Sequence, residues 1–214
     1  MKVKICANKS IEHAQMCLDA GADVIGILVG QQHNSTDFVD KEVAKEICDF
    51  VNGRCDVSLV THITNANEII ELTNYIGNNT IQLHSEINEL EVEKISKALP
   101  NIKLVRLIHI SQDGIIVTDT NKFKYADFYL LDSFNLKTNQ VGGTGLTHDW
   151  HKSKEIIQKL NKPTFLAGGL NPENVKLAIE IAQPYGVDVN SGCKLHGNKN
   201  RNKVIEFVKN AKGI

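Results

Sequence analysis

Short apolar runs alternate along this chain with segments whose apolar residues recur at helical intervals. Eight of these runs have the length and the branched side chains of buried parallel strands. They lie at residues 3–6, 24–29, 57–62, 80–84, 104–108, 128–132, 164–167 and 187–189. Most successive runs begin about 20 to 25 residues apart, which is the length of one strand, one crossover helix and two short loops. The pattern therefore predicts a repeated βα unit.

The segments between the runs predict amphipathic helices. Residues 11–18, 43–51, 69–76 and 175–182 place apolar side chains three or four positions apart, with polar residues between them. Helix-boundary residues agree with this interpretation, because Ser10 precedes the first segment and Gly21 and Gly77 follow predicted helix ends. Asn171 and Pro172 predict a helix start, with the proline in the first turn.

Eight strands alternating with helices in 214 residues predict an α/β protein, a single-domain (β/α)8 TIM barrel that spans residues 1–214. A doubly wound parallel sheet is the alternative fold. It usually needs fewer strands for this length, and it has no closing eighth repeat. The barrel is therefore the favoured fold.

Composition excludes several classes of protein. Hydrophobic residues make up 42% and charged residues 23% of the chain, which is enough for a sizeable core. The formal net charge is -1 and no dense basic block stands out, so nucleic acid is not an expected partner. We find neither a secretory signal nor a membrane-spanning run, and the five cysteines form no CxxC pair, so we expect a cytoplasmic protein with reduced thiols.

The carboxyl ends of the predicted strands would surround one mouth of the barrel, where barrel enzymes hold their reacting groups. The residues at these ends are Cys6, 30–37, His62, His84, His109, Asp132, 168–169 and 190–192. The three histidines stand on separate strands and lack the local spacing of a zinc motif, so no metal site is expected. Two further histidines, His148 and His151, stand near a predicted helix start and are interpreted as surface or capping residues.

Small residues follow the last two predicted strands. Gly168 and Gly169 come after the seventh strand, and Ser191 and Gly192 come after the eighth. Backbone amides at such positions can approach an anion closely, because no Cβ stands in the way. These neighbouring loops predict a phosphate-binding site.

Cys6 and Asp132 are the residues with the chemistry of a base and an acid. An ionised thiol can take a proton from carbon, and a carboxyl group in an apolar rim can keep a proton and donate it. A cysteine at a strand end can equally be a small packed hydrophobe, and an aspartate can cap a loop. The residues by themselves leave both interpretations open.

At this point the sequence resembles phosphoribosylanthranilate isomerase, the (β/α)8 enzyme of tryptophan biosynthesis. The resemblance runs nearly end to end and is carried by KIC at 4–6, AGAD at 20–23, QLH at 82–84, LLD at 130–132, GGTG at 142–145, LAGGLNPENV at 166–175 and VDVNSG at 187–192. It implies an Amadori rearrangement of an N-(5-phosphoribosyl) aromatic amine without a cofactor. It also implies Cys6 as general base, Asp132 as general acid, and phosphate bound at 168–169 and 191–192.

Substrate contacts are expected from a further group of residues around the mouth. They are Lys9, His33, Asp37, His84, Arg106, Gly143 and Asp188. The expected partner is a small phosphoribosyl amine, with no nucleic acid or membrane, and the protein is expected to be a monomer or a homodimer.

The sequence departs from the family pattern in two loops. Residues 7–9 are Ala-Asn-Lys, where the family has a glycine-containing segment, and Lys9 can lower the Cys6 pKa or contact a substrate anion. Asp37 stands where the family has an arginine that addresses the anthranilate carboxylate. Either another cation, with Arg106 and Lys194 as candidates, compensates for Asp37, or the substrate lacks that carboxylate. Two functions are therefore alternatives to phosphoribosylanthranilate isomerase. The protein could perform the same chemistry on a different N-phosphoribosyl amine, or it could be a non-catalytic barrel that binds a phosphosugar.

Overall fold

A computed structural model describes residues 1–31, 35–111, 118–135, 140–141 and 148–214. Strands occur at β1 (Lys2–Ile5), β2 (Val24–Leu28), β3 (Asp56–Thr61), β4 (Thr80–Leu83), β5 (Lys103–Ser111), β6 (Phe128–Asn135), β7 (Gln140–Val141), β8 (Thr164–Leu166), β9 (Gly186–Val189), β10 (Lys194–Leu195) and β11 (Asn198–Lys199). The helices are α1 (Ile11–Ala20), α2 (Lys41–Val51), α3 (Ala66–Ile76), α4 (Glu89–Ala98), α5 (Trp150–Lys159), α6 (Val175–Ala182) and α7 (Arg201–Lys212).

Eight of these strands close into a parallel barrel. The hydrogen-bonded order is β5-β4-β3-β2-β1-β9-β8-β6, and parallel pairing of β5 with β6 completes the ring. All eight predicted strands are present, and the (β/α)8 fold is confirmed. Closure excludes the doubly wound sheet, because an open sheet leaves two unpaired edges.

Helix boundaries follow the predicted capping residues at most positions. Ser10 caps α1 by accepting a hydrogen bond from the His13 backbone, and Gly21 ends that helix in the left-handed region. The start of α6 was predicted at Asn171, which is wrong, because the helix begins at Val175. The side chains of Asn171 and Asn174 instead accept hydrogen bonds from each other's backbone N–H, and this fixes a separate turn before the helix.

Two barrel strands run beyond the mouth. The parallel ladder of β5 and β6 continues past the pair of His109 and Asp132 to Ser111 and Phe134. Asp132 therefore lies within its strand, although the sequence predicted it at the strand end. In the described part of the β5–β6 connection, a short 3-10 helix (Thr120–Lys122) stands where other units carry an α-helix.

The barrel interior is divided into an apolar and a polar side. Along β5, β6 and β8, the inward side chains form one apolar cluster made of Val105, Leu107, Leu130, Phe165 and Ala167. On the opposite side, the inward residues Lys4, Gln82 and Asp188 are buried and polar. The larger apolar core lies between the strands and the helices. No helix in the described ranges is long and apolar enough to cross a membrane.

Candidate active site

Cys6 and Asp132 both face the barrel interior near its carboxyl-terminal mouth. Cys6 follows β1 directly, and its backbone N–H donates to the Val189 carbonyl at 2.8 Å. Asp132 lies on β6, in register with His109 of β5. Both residues are only 8% exposed. The structure thus places the predicted base and acid on the same interior surface.

A buried lysine connects the groups around this pair. The Lys4 ammonium donates to Asp188 Oδ2 at 2.6 Å and to Gln82 Oε1 at 2.8 Å, and its charge acts on the Cys6 thiol. Burial lowers the pKa of Lys4, but the charges of Asp188 and Cys6 outweigh burial and raise it. Lys4 is therefore a permanent cation inside the barrel.

Burial and neighbouring charge control how the predicted acid and base ionise. Burial raises the pKa of the Cys6 thiol, Asp188 raises it further, and the Lys4 ammonium opposes both effects. Burial, followed by the charge of Asp188, raises the pKa of Asp132 to about 7, against the opposing effects of the Ser133 N–H and Lys4. Asp132 therefore retains a proton in part of the population near neutrality, as a general acid requires.

The loop after Cys6 is held in an unusual conformation. Ala7 has φ +57°, in the left-handed region that favours glycine, and this explains why a glycine-containing segment suits the family at this position. The Asn8 side chain fixes the loop by donating to the carbonyls of Ile5 and Gly26, at 2.7 and 3.1 Å. A Cβ at Gly26 would lie 3.0 Å from Cys6 Sγ and 3.3 Å from Lys4 Cε, so a side chain there would crowd both groups.

The two predicted phosphate loops contact each other and the strand that carries Asp132. Gly168 has φ +82°, and a Cβ there would lie 2.0 Å from Ser133 Oγ. A Cβ at Gly192 would lie 2.0 Å from the Leu170 carbonyl oxygen. Gly169 has φ +66°, and its carbonyl accepts a hydrogen bond from Asn174 at 3.0 Å. These close approaches require glycine and bring the loops after β8 and β9 together.

Asp37 is paired across the mouth with residues near the carboxyl end of β9. Its carboxylate accepts hydrogen bonds from Lys194 and, at 2.8 Å, from the Asn190 side chain. Burial raises the pKa of Asp37, but these two hydrogen bonds outweigh burial and hold it below its usual value. Lys194, one of the two candidate compensating cations, therefore neutralises Asp37 directly.

Aromatic rings line the mouth on the side of β2 to β4. The rings of His62 and His84 are stacked with centroids 5.1 Å apart, and Phe38 contacts His62 edge-on at 5.2 Å. His84 Nδ1 lies 3.1 Å from Gln82 Nε2, which joins the stack to the Lys4 network. This side offers flat, partly apolar surfaces to a ring.

Arg106, the other candidate cation, lies away from this group. Its strand neighbours Leu83 and Tyr129 pack in the layer between barrel and helices, so Arg106 faces outward. There it pairs with Glu89 at 2.6 Å and lies 3.9 Å over the Phe123 ring. Side chains alternate along β5, so Arg106 lies on the outer face of the strand and its neighbours Val105 and Leu107 lie on the inner face.

The remaining predicted contacts fall in different places. Asp188 is part of the Lys4 network, and Lys9 lies close enough to Asp37 for its charge to lower the Asp37 pKa. His33 and Gly143 lie outside the described residues. In the ranges that the structure describes, no group of three or more His, Cys, Asp or Glu side chains is arranged to hold a metal ion.

The interpretation of His148 as a surface or capping residue is wrong. It is 5% exposed, and its Nδ1 lies 3.0 Å from Ser133 Oγ. Burial lowers the pKa of His148 to about 4, so the ring is neutral at ordinary pH. Ser133 thus lies between His148 and Gly168, next to the predicted acid.

Sequence reasoning missed the buried polar residues that support the site. Lys4 and Gln82 lie in matched motifs, and their alternation with apolar neighbours was the available signal for an inward polar position. Lys199 gave no such signal. It is 6% exposed and donates to the Cys6 carbonyl from β11, 193 residues away.

Comparison with known proteins gives a consistent result. The family model for N-(5'-phosphoribosyl)anthranilate isomerase matches residues 3–210. N-(5'-phosphoribosyl)anthranilate isomerase 2 of Methanosarcina mazei is 40% identical over 213 residues, covering 99% of this chain and 94% of that protein. The enzyme structure from Thermotoga maritima superposes with a TM-score of 0.84 at 27% identity, with both chains fully covered. An isomerase complex with reduced 1-(o-carboxyphenylamino)-1-deoxyribulose 5-phosphate has a TM-score of 0.78 at 26% identity, again with full coverage of both chains.

Proposed function

The chain belongs to the N-(5'-phosphoribosyl)anthranilate isomerase family of tryptophan biosynthesis, and we propose that Cys6 and Asp132 carry out its proton transfers. It is an aldose–ketose isomerase that rearranges an N-(5-phosphoribosyl) aromatic amine to a 1-amino-1-deoxyribulose 5-phosphate. The observation that carries the assignment of roles is the shared burial of a thiol and a carboxyl group around one Lys4–Asp188 ion pair.

Asp132 opens the sugar in the proposed first step. Its proton passes to the furanose ring oxygen, the bond between that oxygen and C1 breaks, and a protonated Schiff base forms between C1 and the amine nitrogen. The pKa of about 7 supports this role, because it keeps some Asp132 protonated at neutral pH. The apolar half of the barrel interior, on the same strand, contributes to the burial that raises this pKa.

Cys6 takes the C2 proton in the proposed second step. The electron pair of that C–H bond forms the C1–C2 double bond, and the former imine electrons neutralise the nitrogen. The resulting enolamine gains a proton at C1 and loses its C2 hydroxyl proton to become the ketone. Positive charge on the imine nitrogen acidifies the C2–H bond, so this route needs no cofactor.

The two glycine loops hold the phosphate in this proposal. Gly168 and Gly169 follow β8, Ser191 and Gly192 follow β9, and Gly192 packs against Leu170 of the first loop, at the usual phosphate position of such barrels. Gly168 packs against Ser133, the residue after Asp132, so a phosphate bound at this loop would lie near the acid. The loops therefore bind the substrate and also position the sugar ring.

The aromatic aglycone occupies the opposite side of the mouth in this proposal. The stacked rings of His62 and His84 offer a surface for an aromatic ring. Lys194 and Lys9 supply positive charge near Asp37 for an anionic substrate. Because Asp37 is already paired, it does not present an isolated negative charge to a carboxylate.

A different N-phosphoribosyl amine is the second candidate substrate. The ion pair of Asp37 with Lys194 favours it, since the paired lysine has fewer hydrogen-bonding positions left for a carboxylate than an unpaired arginine would have. The acid, base and phosphate loops would act in the same way on such a substrate.

We further propose a cytoplasmic protein that binds no nucleic acid and exists as a monomer or a homodimer. The five cysteines, all in described parts of the chain, are free thiols, as a reducing compartment favours. The formal net charge of -1 disfavours a nucleic-acid partner. A relative from Thermotoga maritima is described as dimeric, and monomers of it have been generated.

The decisive experiment follows turnover of freshly prepared phosphoribosylanthranilate through the loss of its fluorescence. Cys6→Ala and Asp132→Asn should each lower kcat by about 10²-fold or more, because positioned proton transfer normally contributes that much. Cys48→Ala is the matched control, since this half-buried thiol lies on α2, outside the interior. Losses below about threefold in both site variants would refute the proposed roles. A folded protein that binds ribose 5-phosphate without turnover would favour the second candidate.

A further inference from the structure

We propose that Lys4 is a positioning residue that keeps a cation beside the Cys6 thiol and balances the neighbouring Asp188 carboxylate. The inference rests on the proposed role of Cys6 as general base. Lys4 lies one step below Cys6 on the inner face of β1 and is 4% exposed. Its ammonium is bound to Asp188 and Gln82, so we assign it a role through its neighbours.

The contacts of Lys4 place one cation among one thiol and two carboxyl groups. Its ammonium lies 2.6 Å from Asp188 and 2.8 Å from the Gln82 side-chain oxygen, and its charge acts on the Cys6 thiol. Its charge also acts on Asp132 from across the interior. Asp188 and Gln82 accept two of the three N–H groups of the ammonium. Its position is therefore fixed.

Other charges face Cys6 from the surrounding elements. Asp188 on β9 opposes thiolate formation, and the ammonium of Lys199 on β11 favours it. Lys199 hydrogen-bonds the Cys6 carbonyl rather than the thiol. Of the two lysines, Lys4 acts more strongly on the thiol, and it also forms an ion pair with Asp188.

Space for this arrangement comes from Gly26 on the neighbouring strand. A Cβ at that position would stand 3.0 Å from Cys6 Sγ and 3.3 Å from Lys4 Cε, so the glycine leaves room for both side chains. Asn8 binds the Gly26 carbonyl and keeps the loop after Cys6 against β2. The Cys6 thiol and the Lys4 side chain consequently pack side by side against β2.

Removal of the Lys4 charge should move the ionisation of Cys6 to higher pH. In Lys4→Met, the unpaired Asp188 carboxylate would face the thiol, and an effect of about one pH unit is expected from a lost neighbouring charge. A shift of one unit leaves about tenfold less thiolate at pH 7. The acidic limb of the kcat/KM profile should move upward by the same amount. A merely structural role would lower activity without moving this limb.

The test measures the rate at which iodoacetamide alkylates Cys6 as a function of pH, with peptide mass spectrometry to separate Cys6 from the other four thiols. This readout requires no turnover, so it separates failure of the Lys4 inference from failure of the proposed catalytic roles. Gln82→Leu is the matched control, because it removes a neutral partner of Lys4. The alkylation midpoint should rise in Lys4→Met and stay within about 0.3 units of wild type in Gln82→Leu.

A double variant covers the case in which the unpaired Asp188 prevents Lys4→Met from folding. Lys4→Met/Asp188→Leu buries no isolated charge. Because Lys4 acts on Cys6 more strongly than Asp188 does, the midpoint of the double variant should lie above that of wild type and below that of Lys4→Met. A midpoint equal to wild type in both lysine variants would overturn the proposal.

Discussion

The ammonium of Lys194 lies 2.5 and 2.6 Å from the two carboxylate oxygens of Asp37, although 157 residues separate them. Asp37 stands on the connection between β2 and α2, and Lys194 follows the last barrel strand. The pair therefore ties together two loops of the mouth and balances their charge. Because Lys194 balances its charge, Asp37 is compatible with an anionic substrate, although the family has an arginine at this position.

Loss of Lys194 should weaken substrate binding more than it slows chemistry. Lys194→Met removes the ion-pair partner of Asp37 and leaves more negative charge at the mouth, so we expect KM for phosphoribosylanthranilate to rise about fivefold or more at low ionic strength. Steady-state kinetics on the purified variant measures this. The double variant Asp37→Asn/Lys194→Met removes both charges and should recover much of the loss. An unchanged KM in the single variant would contradict the pairing model.

Asp132 should make the folded protein less stable as pH rises. Its pKa of about 7 lies above the ordinary value of 3.8, so the folded state holds this proton more tightly than the unfolded state. The contribution is therefore fully present below about pH 4 and is lost as pH rises through about 7. Asp132→Asn stays neutral at every pH.

We expect the stability gained in Asp132→Asn to grow from pH 5 to pH 8, as measured by urea unfolding of both proteins. Asp127→Asn is the control, because that partly exposed carboxyl group lies just before the same strand and pairs with Lys103. A gain in stability that does not change with pH would contradict the raised pKa of Asp132.

Gly168 should tolerate no side chain. Its φ of +82° and the 2.0 Å approach of a Cβ to Ser133 Oγ combine backbone strain with a clash beside the predicted phosphate site. Gly168→Ala should raise KM and lower the free energy of unfolding by about 2 kcal/mol or more. Gly197→Ala is the matched control, since φ is +80° there but nothing lies within 4 Å. It should cost only about 1 kcal/mol and leave KM unchanged. Equal effects in the two variants would argue against the close contact with Ser133.

Arg106 should contribute to stability and not to substrate binding. Arg106→Met removes the Glu89 ion pair and the contact over the Phe123 ring, so we expect a loss of about 1 to 3 kcal/mol in the free energy of unfolding. KM should stay within about twofold of wild type, measured under the same conditions. Lys103→Met serves as control, because its exposed pair with Asp127 should contribute less than about 1 kcal/mol. A large rise in KM without a loss of stability would place Arg106 at the site after all.

The sequence by itself determined the barrel, because its evidence is local and repeated. Each apolar run and each helical pattern carries its own signal, and eight repeats in one chain leave few ways to bury the apolar faces. The same reasoning placed Cys6, Asp132 and the glycine pairs at the mouth, since strand ends of a parallel barrel point one way. The start of α6 escaped this reasoning, because Asn171 and Asn174 bond to each other's backbone instead of starting the helix.

Tertiary structure alone decided which side chains meet. Lys4 and Asp188 are 184 residues apart, and only closure of β1 against β9 brings their charges to 2.6 Å. Arg106 was a candidate for the mouth, yet the alternation of β5 turns it outward onto Phe123. His148, next to a helix start in sequence, becomes a buried partner of Ser133. Such contacts depend on the register and closure of distant strands, and neither can be predicted from a pattern of neighbouring residues.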